Sequence, residues 1–600
     1  MSKRFLPVNK KDMDERGWKE LDVIIVTGDA YADHPSYGAA VIGRVLENAG
    51  FRVGLIPQPD CQRLEDFRRL GRPKLFFGVT AGNLDSMVAN YTANKNHRRN
   101  DDYSAGGKPN LRPDRASIVY TNRIKEAFPD IPVVLGGVEA GLRRLAHYDY
   151  WSDKVRRSIL LDAKADILVY GMGEKQVLEI AERLKRGHDI RTLDNIRGTV
   201  VVRNKIDALE DYIEIPPFEE VADNKDKFNE AFRILYSEFD PLRGKAIVQK
   251  HRDRFAVQFP PALPLTTEEM DGVYLLNYAR AWHPAYDKDG GVPGFETVRF
   301  SIIAHRGCPG ECSFCSLYMH QGRIIQSRSR ESILKEAKSL AERDDFRGTI
   351  TDIGGPTANM YKAECKFWKA KGACVDKKCL IPAKCKELKL GDDETLKVWK
   401  AVTQVPKVKH LFIESGVRYD LLVENQSEEY LKELCANHIS GQLKVAPEHS
   451  EEPVLKLMNK PSFEIYEKFI RKFNDINKRL NKKQYLVNYF ISAHPGADLD
   501  SALNLSMELM RKRIYPEQIQ DFLPLPMTIS GCMYYTKKDP FTGKDIYVAT
   551  ALRERKIQRA LIQYKQQKNK RYIIEALRRL DKMNLISRFT RIKLNNRQTK

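Results

Sequence analysis

Short apolar runs separated by helical patterns recur through the first two hundred residues. Asp22-Val23-Ile24-Ile25-Val26 reads as a strand buried on both faces, followed by a helix through 39–48 and a strand at 52–56. Further strands are predicted at 75–80, 132–135 and 166–170, with helices between them. Apolar strands alternating with helices predict a doubly wound parallel sheet. Ligands of such sheets lie beyond the strand C-termini. The chain places Gly28-Asp29, Thr80-Ala81-Gly82, Gly136-Gly137 and Gly171-Met172-Gly173-Glu174 at those positions. A nucleotide-phosphate loop is disfavoured: G-x4-G-K-S/T is missing, and Glu174 would repel a phosphate.

From about 206 to 293 the pattern is mixed. Proline pairs (Pro216-Pro217, Pro260-Pro261) and a charged helical stretch near 223–236 predict a connector that packs on both neighbours. After Glu296 the alternation resumes, with strands predicted at 299–304, 348–353, 410–414, 442–446, 485–492 and 519–522. Helices at 330–342, 395–403, 428–437, 463–479 and 500–512 fill the gaps. Six βα units predict a partial, open (β/α)6 barrel, whose chemistry belongs on the loops after the strands.

Composition narrows the class. Seven of the ten cysteines fall between Cys308 and Cys385, which points to metal ligation in a reducing compartment rather than a disulfide scaffold. Met1-Ser2-Lys3-Arg4-Phe5-Leu6-Pro7 opens no apolar segment, and no run reaches membrane-span length, so a cytoplasmic protein without a membrane partner is expected. The formal net charge of +21 is concentrated at the end, where sixteen Lys/Arg from Arg553 to Lys600 face Glu554, Glu575 and Asp581. Such a tail makes RNA a candidate partner through counterion release. The plainer reading is a solvated helical face, and stacking aromatics are sparse there (Tyr564, Tyr572, Phe589).

The chemistry enters at Cys308, Cys312 and Cys315, a C-x3-C-x2-C triplet directly after Phe300-Ser301-Ile302-Ile303-Ala304. Iron–sulfur cubanes normally take four cysteines. Three thiolates on one tight loop hold three irons and leave the fourth open to a ligand from outside the protein. Cys312-x2-Cys315 alone would read as a redox dithiol or half a zinc site, but the second C-x2-C hook is missing.

The loop resembles that of the radical S-adenosylmethionine (SAM) enzymes. The resemblance implies a 4Fe-4S cluster whose open iron is chelated by SAM, and reductive cleavage of SAM to a 5′-deoxyadenosyl radical. It implies that Phe314 lies against the adenine. It implies that Gly354-Gly355 receive the methionyl ammonium, with Pro356 in place of the usual acid. In Glu414-Ser415-Gly416-Val417-Arg418 it places Ser415 near the ribose and pairs Arg418 with the SAM carboxylate, a task suited to guanidinium. Turn or capping roles are the plainer reading of each. Ala446-Pro447-Glu448-His449-Ser450, the segment Val454-Leu455-Lys456-Leu457-Met458-Asn459-Lys460, and His494-Pro495-Gly496-Ala497-Asp498 are similar to strand ends of radical-SAM methylthiotransferases.

The N-terminal half resembles the cobalamin-binding-like domain of one radical-SAM class, with Thr80-Ala81-Gly82-Asn83-Leu84-Asp85 and Gly136-Gly137 where that family contacts the corrin tail. The family's D-x-H-x-x-G is replaced by Asp33-His34-Pro35-Ser36-Tyr37-Gly38, so His34 is expected to be a loop histidine rather than a cobalt ligand. A second cysteine group, Cys365, Cys374, Cys379 and Cys385, lies among seven lysines (Lys366, Lys369, Lys371, Lys377, Lys378, Lys384, Lys386) after the second barrel strand. An auxiliary iron–sulfur cluster, structural zinc, and free thiols or a transient disulfide all remain open for it.

Over nearly its whole length the chain resembles the YgiQ family (UPF0313) of radical SAM proteins. The expected architecture is α/β: a doubly wound, cobalamin-binding-like N-terminal domain at 1–205, a connector at 206–293, a radical-SAM core at 294–530 and a small basic helical region at 531–600. The expected function is a radical SAM enzyme served by a ferredoxin or flavodoxin as low-potential electron donor. RNA or a ribosomal protein is the favoured substrate class and a small molecule the rival; catalytic residues are unassigned. The alternative is a non-catalytic iron–sulfur module that binds or senses RNA or protein, for which Pro356 is the sequence feature.

Overall fold

Strand β1 (Val23–Thr27) shows why the first apolar runs lack a polar side. Val23 and Ile25 enter one core with Val41, Val45 and Ile180, while Ile24 and Val26 enter another with Tyr120, Ile124 and Leu160. Side chains alternate across a strand, so a strand covered on both faces must be apolar throughout. The computed structural model describes residues 5–424 and 427–590. In it β1 is joined in parallel by β2 (Val53–Pro57), β3 (Phe76–Thr80), β4 (Val133–Leu135) and β5 (Ile167–Val169), in the spatial order 2-1-3-4-5. Helices α1 (Gly38–Asn48), α2 (Ala116–Ala127) and α3 (Glu174–Lys185) cover this sheet, α1 and α3 on one face and α2 on the other.

The sheet does not stop at the expected boundary of 205. β6 (Thr199–Arg203), β7 (Tyr212–Ile215), β8 (Ala246–His251) and β9 (Arg254–Gln258) extend it to nine strands ordered 7-8-9-6-5-4-3-1-2. The pairs β5–β6, β6–β9 and β9–β8 are antiparallel, and β7–β8 is parallel. The stretch predicted as a connector at 206–293 therefore supplies three strands, along with helix α4 (Lys225–Ser237). Buried glutamines disguised two of them, β8 and β9. Gln249 Oε1 accepts from Ala146 N at 2.8 Å and Gln258 Oε1 from Arg144 Nε at 2.6 Å. Buried polar groups are tolerated when satisfied in this way, but they interrupt the apolar pattern.

The second half follows the predicted strands closely. β10 (Ser301–Ile303), β11 (Thr349–Ile350), β12 (Asp352–Gly354), β13 (His410–Leu411), β14 (Gln442–Glu448), β15 (Tyr485–Ser492) and β16 (Ile519–Asp521) run parallel in chain order, β11 and β12 being one strand interrupted at Thr351. The bridge Val417–Val445 carries the curved sheet from its third to its fourth strand. The outer layer is formed by α5 (Arg330–Ala341), α6 (Asp392–Thr403), α7 (Glu428–Asn437), α8 (Phe463–Arg479) and α9 (Leu499–Arg511). In α8, Phe463, Tyr466, Phe469, Phe473 and Ile476 recur at three- and four-residue spacing and face the core, and Ser462 caps the first turn.

The expected boundary at 530 falls inside α10 (Ile529–Thr536). Beyond it, α11 (Leu552–Ile562) packs Ile557, Leu561 and Ile562 into the barrel core beside α9, β15 and β16. Arg555 is fully buried there and donates to Phe522 O. The first part of the predicted basic tail is thus barrel wall; residues 591–600 lie outside the described residues. Among the described residues no helix is long and apolar enough to cross a membrane.

Candidate functional site

The cysteine loop leaves β10 and folds back on itself, His305–Arg306 pairing antiparallel with Gln326–Ser327. Gly307 has φ +85°, and a Cβ there would lie 2.2 Å from Ile324 O, so only glycine lets the two arms approach. Cys315 N donates to Cys312 O at 2.9 Å, and Leu317 N to Cys315 Sγ at 3.4 Å. Burial first, then the neighbouring thiolates, push Cys315 up to about 12 and Cys308 in the same direction; Arg418 and the Thr357 hydroxyl pull Cys308 back. Thiolates so crowded need a compensating cation. Among the described residues no group of three or more His, Cys, Asp or Glu closes tightly enough to hold a single metal ion. Three thiolates on one loop match the corners of a cubane, with one corner left for a ligand from outside the protein.

Arg418 arrives at this loop from the third strand end. Its Nε and Nη2 grip Asp420 at 3.1 and 2.7 Å, and its backbone exchanges two hydrogen bonds with the Asn359 side chain at 2.9 and 3.0 Å. Nη1 reaches Cys312 Sγ at 3.9 Å. A Cβ on Gly310 would come within 2.9 Å of that Nη1 and 3.3 Å of Cys308 Sγ. The paired glycines close the next side. A Cβ on Gly354 would lie 2.4 Å from Ser415 Oγ, and one on Gly355 2.6 Å from His305 Cε1. Ser415 donates its hydroxyl to Asp352, which also accepts from Ser415 N and Glu414 N at 3.0 and 2.9 Å. Phe314 lies edge-on to His494, centroids 6.1 Å apart.

The structure thus joins Arg418 to Cys312 directly, packs Ser415 against Gly354 and ties it to Asp352, and sets Phe314 against the fifth strand end. Glu448, at the end of β14 where the register with β15 slips, has φ +68°. Burial pushes its carboxyl up to about 7, and Lys460 Nζ, 4.0 Å away, offsets only part of the shift.

Sequence reasoning missed the residues that brace the loop. Glu311 is buried between cysteines, accepting from Tyr236 of α4 and ion-pairing with Arg323 at 3.4 Å and Lys378 at 3.8 Å. Arg306 pairs with Glu174 of α3 at 2.6 Å and donates to Tyr274 at 2.7 Å. Ser313 donates to Leu457 O at 2.6 Å and lies 2.8 Å from Ser530 Oγ, which in turn meets His494 Nε2 at 2.7 Å. Asn459 donates to Glu311 O at 2.9 Å. Asp420 alone had a local signal, an acid two residues after a candidate binding arginine.

The 2-1-3-4-5 sheet has its topological switch between β1 and β3, where a ligand of the N-terminal domain would lie. Arg112 fills that crevice. It is fully buried, with Nη2 2.8 Å from Asp29 and 3.1 Å from Asp101, and Nη1 donates to Ala81 O. Asn83 N donates to Asp29 at 2.7 Å, and a Cβ on Gly137 would lie 2.4 Å from Thr80 Oγ1. Gly28, Gly82 and Gly137 serve this internal packing, while a Cβ on Gly136 would meet nothing within 4 Å. His34 is buried, its Nδ1 accepting from Ser36 N at 3.1 Å and its ring edge-on to Phe295 at 5.7 Å. These residues do not fit a corrin or its tail.

Family models match three consecutive segments of the chain. Residues 5–301 match the family model described as Radical SAM N-terminal, residues 302–503 the Radical SAM superfamily, and residues 517–599 a domain of unknown function, DUF3362. A UPF0313 protein of Clostridium botulinum (strain 657 / Type Ba4) is 51% identical over 582 residues, covering 97% of this chain and 91% of that protein. One from Methanocella arvoryzae is 52% identical over 579 residues, covering 96% of each. Among solved structures, the radical S-adenosylmethionine methyltransferase TsrM from Kitasatospora setae aligns over 85% of this chain and 74% of its own, at 16% identity and TM-score 0.48. The cobalamin-dependent S-adenosylmethionine radical enzyme OxsB aligns over 94% and 62%, at 10% identity and TM-score 0.47.

Proposed function

The chain belongs to the UPF0313 family of radical SAM proteins, and from that premise we propose that it is an enzyme that cleaves SAM reductively to begin hydrogen abstraction from a substrate. Cys308, Cys312 and Cys315 would hold the 4Fe-4S cluster. When bound, the cluster and SAM supply a one-electron cleavage of the sulfonium that yields a 5′-deoxyadenosyl radical. The protein's part is placement. Arg418, held by Asp420, would offer Nη1 to the SAM carboxylate; by the resemblance, Gly354 and Gly355 would receive its ammonium, and Ser415 and Phe314 would lie by the ribose and adenine. The observation that carries this reading is Arg418 Nη1 at 3.9 Å from Cys312 Sγ, a carboxylate-seeking group beside the cluster loop.

Anaerobically reconstituted protein given dithionite and SAM should form 5′-deoxyadenosine. Arg418→Lys should keep the cluster's absorbance but bind SAM roughly 10- to 100-fold more weakly, the loss of one charge-assisted hydrogen bond. Bound SAM without 5′-deoxyadenosine would overturn catalysis and leave the iron–sulfur binding module. The implied reductant is a ferredoxin or flavodoxin. RNA is the proposed substrate class, resting on exposed Lys556, Lys568, Lys570, Arg571 and Arg578 along α11 and the helix after it.

A further inference from the structure

The insert after β12 carries Cys365, Cys374, Cys379 and Cys385 in a segment with little regular structure of its own. One four-residue helix, Trp368–Lys371, and the paired strands Glu364–Cys365 and Leu388–Lys389 are its elements. The strand pair sets Cys365 opposite Leu388, whose N–H donates to Cys385 O at 3.1 Å. Cys385 N donates to Cys379 O at 2.7 Å. Cys374 feels the thiolates of Cys365 and Cys385, and Cys379 those of all the other three. Cys365, Cys379 and Cys385 are brought together by this pairing, and Cys374 stands on the same insert within their electrostatic reach. All are free thiols, and three share an apolar seat with Met360, Trp368 and Leu380.

The rest of the protein holds this knot against the cluster loop. Asp240 accepts from Ala373 N at 2.7 Å, next to Cys374, and a Cβ on Gly372 (φ +74°) would strike the Asp240 carboxylate at 2.1 Å. Leu380, next to Cys379, lies 3.9 Å from where a Gly310 Cβ would stand, which is itself 3.3 Å from Cys308 Sγ. Lys378 approaches Glu311 of the cysteine loop at 3.8 Å. The second group therefore stands one layer of side chains from the first.

Three chemistries compete for four such thiols. A disulfide would use two and strand two. A single zinc could also be ligated by four thiolates, and metal analysis separates it from a cluster. Lys366, Lys369, Lys371, Lys377 and Lys386 add positive charge that suits a thiolate-rich, anionic centre.

We propose that Cys365, Cys374, Cys379 and Cys385 hold a second iron–sulfur cluster, a cubane with all four corners ligated by protein. It would fasten the insert over the cluster loop. With no open iron it would not bind SAM, and the inference holds whether or not SAM is cleaved.

Iron and acid-labile sulfide on the full chain, purified without oxygen, test it. Wild type should carry about eight irons, and both Cys374→Ser/Cys379→Ser and Cys308→Ser/Cys312→Ser/Cys315→Ser about four. In the triple variant the remaining cluster should give a reduced EPR signal unmoved by SAM. That measurement leaves the insert intact, so it stands even if the double variant misfolds. About four irons in wild type with none in the triple variant would overturn the proposal, as would one zinc per chain lost with the double variant.

Discussion

Burial raises the Glu448 carboxyl to about 7, and the cost of that burial depends on pH. In the unfolded chain the group titrates near the ordinary glutamate value, so between about 4.5 and 7 the folded state holds a proton that the unfolded state has lost. Stability therefore falls as pH rises through this window and levels off above it. Glu448→Gln removes the dependence. The variant should gain on wild type between pH 4 and pH 8 by up to about 3 kcal/mol, read from denaturant midpoints at each pH. A difference that stays constant with pH would show that Glu448 is ionised in the fold. No sequence pattern carried this, because a glutamate after a strand becomes perturbed only through what covers it.

At the scale of elements, the joint between α3 and the cysteine loop is the one to break. Glu174 opens α3, both it and Arg306 are buried, and the pair lies at 2.6 Å. Removing one partner of a buried pair leaves the other charge stranded, at about 3–5 kcal/mol. Glu174→Gln should lower the melting temperature and loosen the cluster loop, seen as faster iron loss to a chelator. Unchanged iron release would mean that Tyr274 alone positions Arg306. Helices were the most legible elements: α7 and α8 begin and end where the apolar spacing put them, and in the structure Ser427 and Ser462 cap their first turns. Caps and periodicity are local, so they survive without the fold. The strands β8 and β9 were not legible, because Gln249 and Gln258 are satisfied by residues more than a hundred positions away.

For the whole molecule, two expectations follow from filled and open surfaces. With Arg112 occupying the switch-point crevice, hydroxocobalamin added to the protein should show no change in its corrin bands and no co-elution; equimolar co-elution would mean that the crevice opens. The basic C-terminal surface is partly spent within the fold, since Arg553 and Arg579 pair with Glu575, Arg559 with Asp521 and Lys582 with Asp500. Replacing Lys556, Lys568, Lys570, Arg571 and Arg578 by alanine should weaken RNA binding. It should also make its log–log salt dependence shallower by roughly 0.7 for each phosphate no longer neutralised. An unchanged slope would remove this surface as an RNA site.

The sequence by itself determined the parallel strands, most of the helices and the cysteine triplet, because strand period, helix period and C-x3-C-x2-C spacing are properties of neighbouring residues. Tertiary structure decided the rest: that a presumed connector completes the first sheet, that Arg112 closes its crevice, that Arg418 meets Cys312 across 106 residues, and that four scattered cysteines converge beside the first three. The last of these is geometric for Cys365, Cys379 and Cys385, which share one apolar seat; each of the four depends on separate segments meeting, and their partners are chosen only when the chain packs.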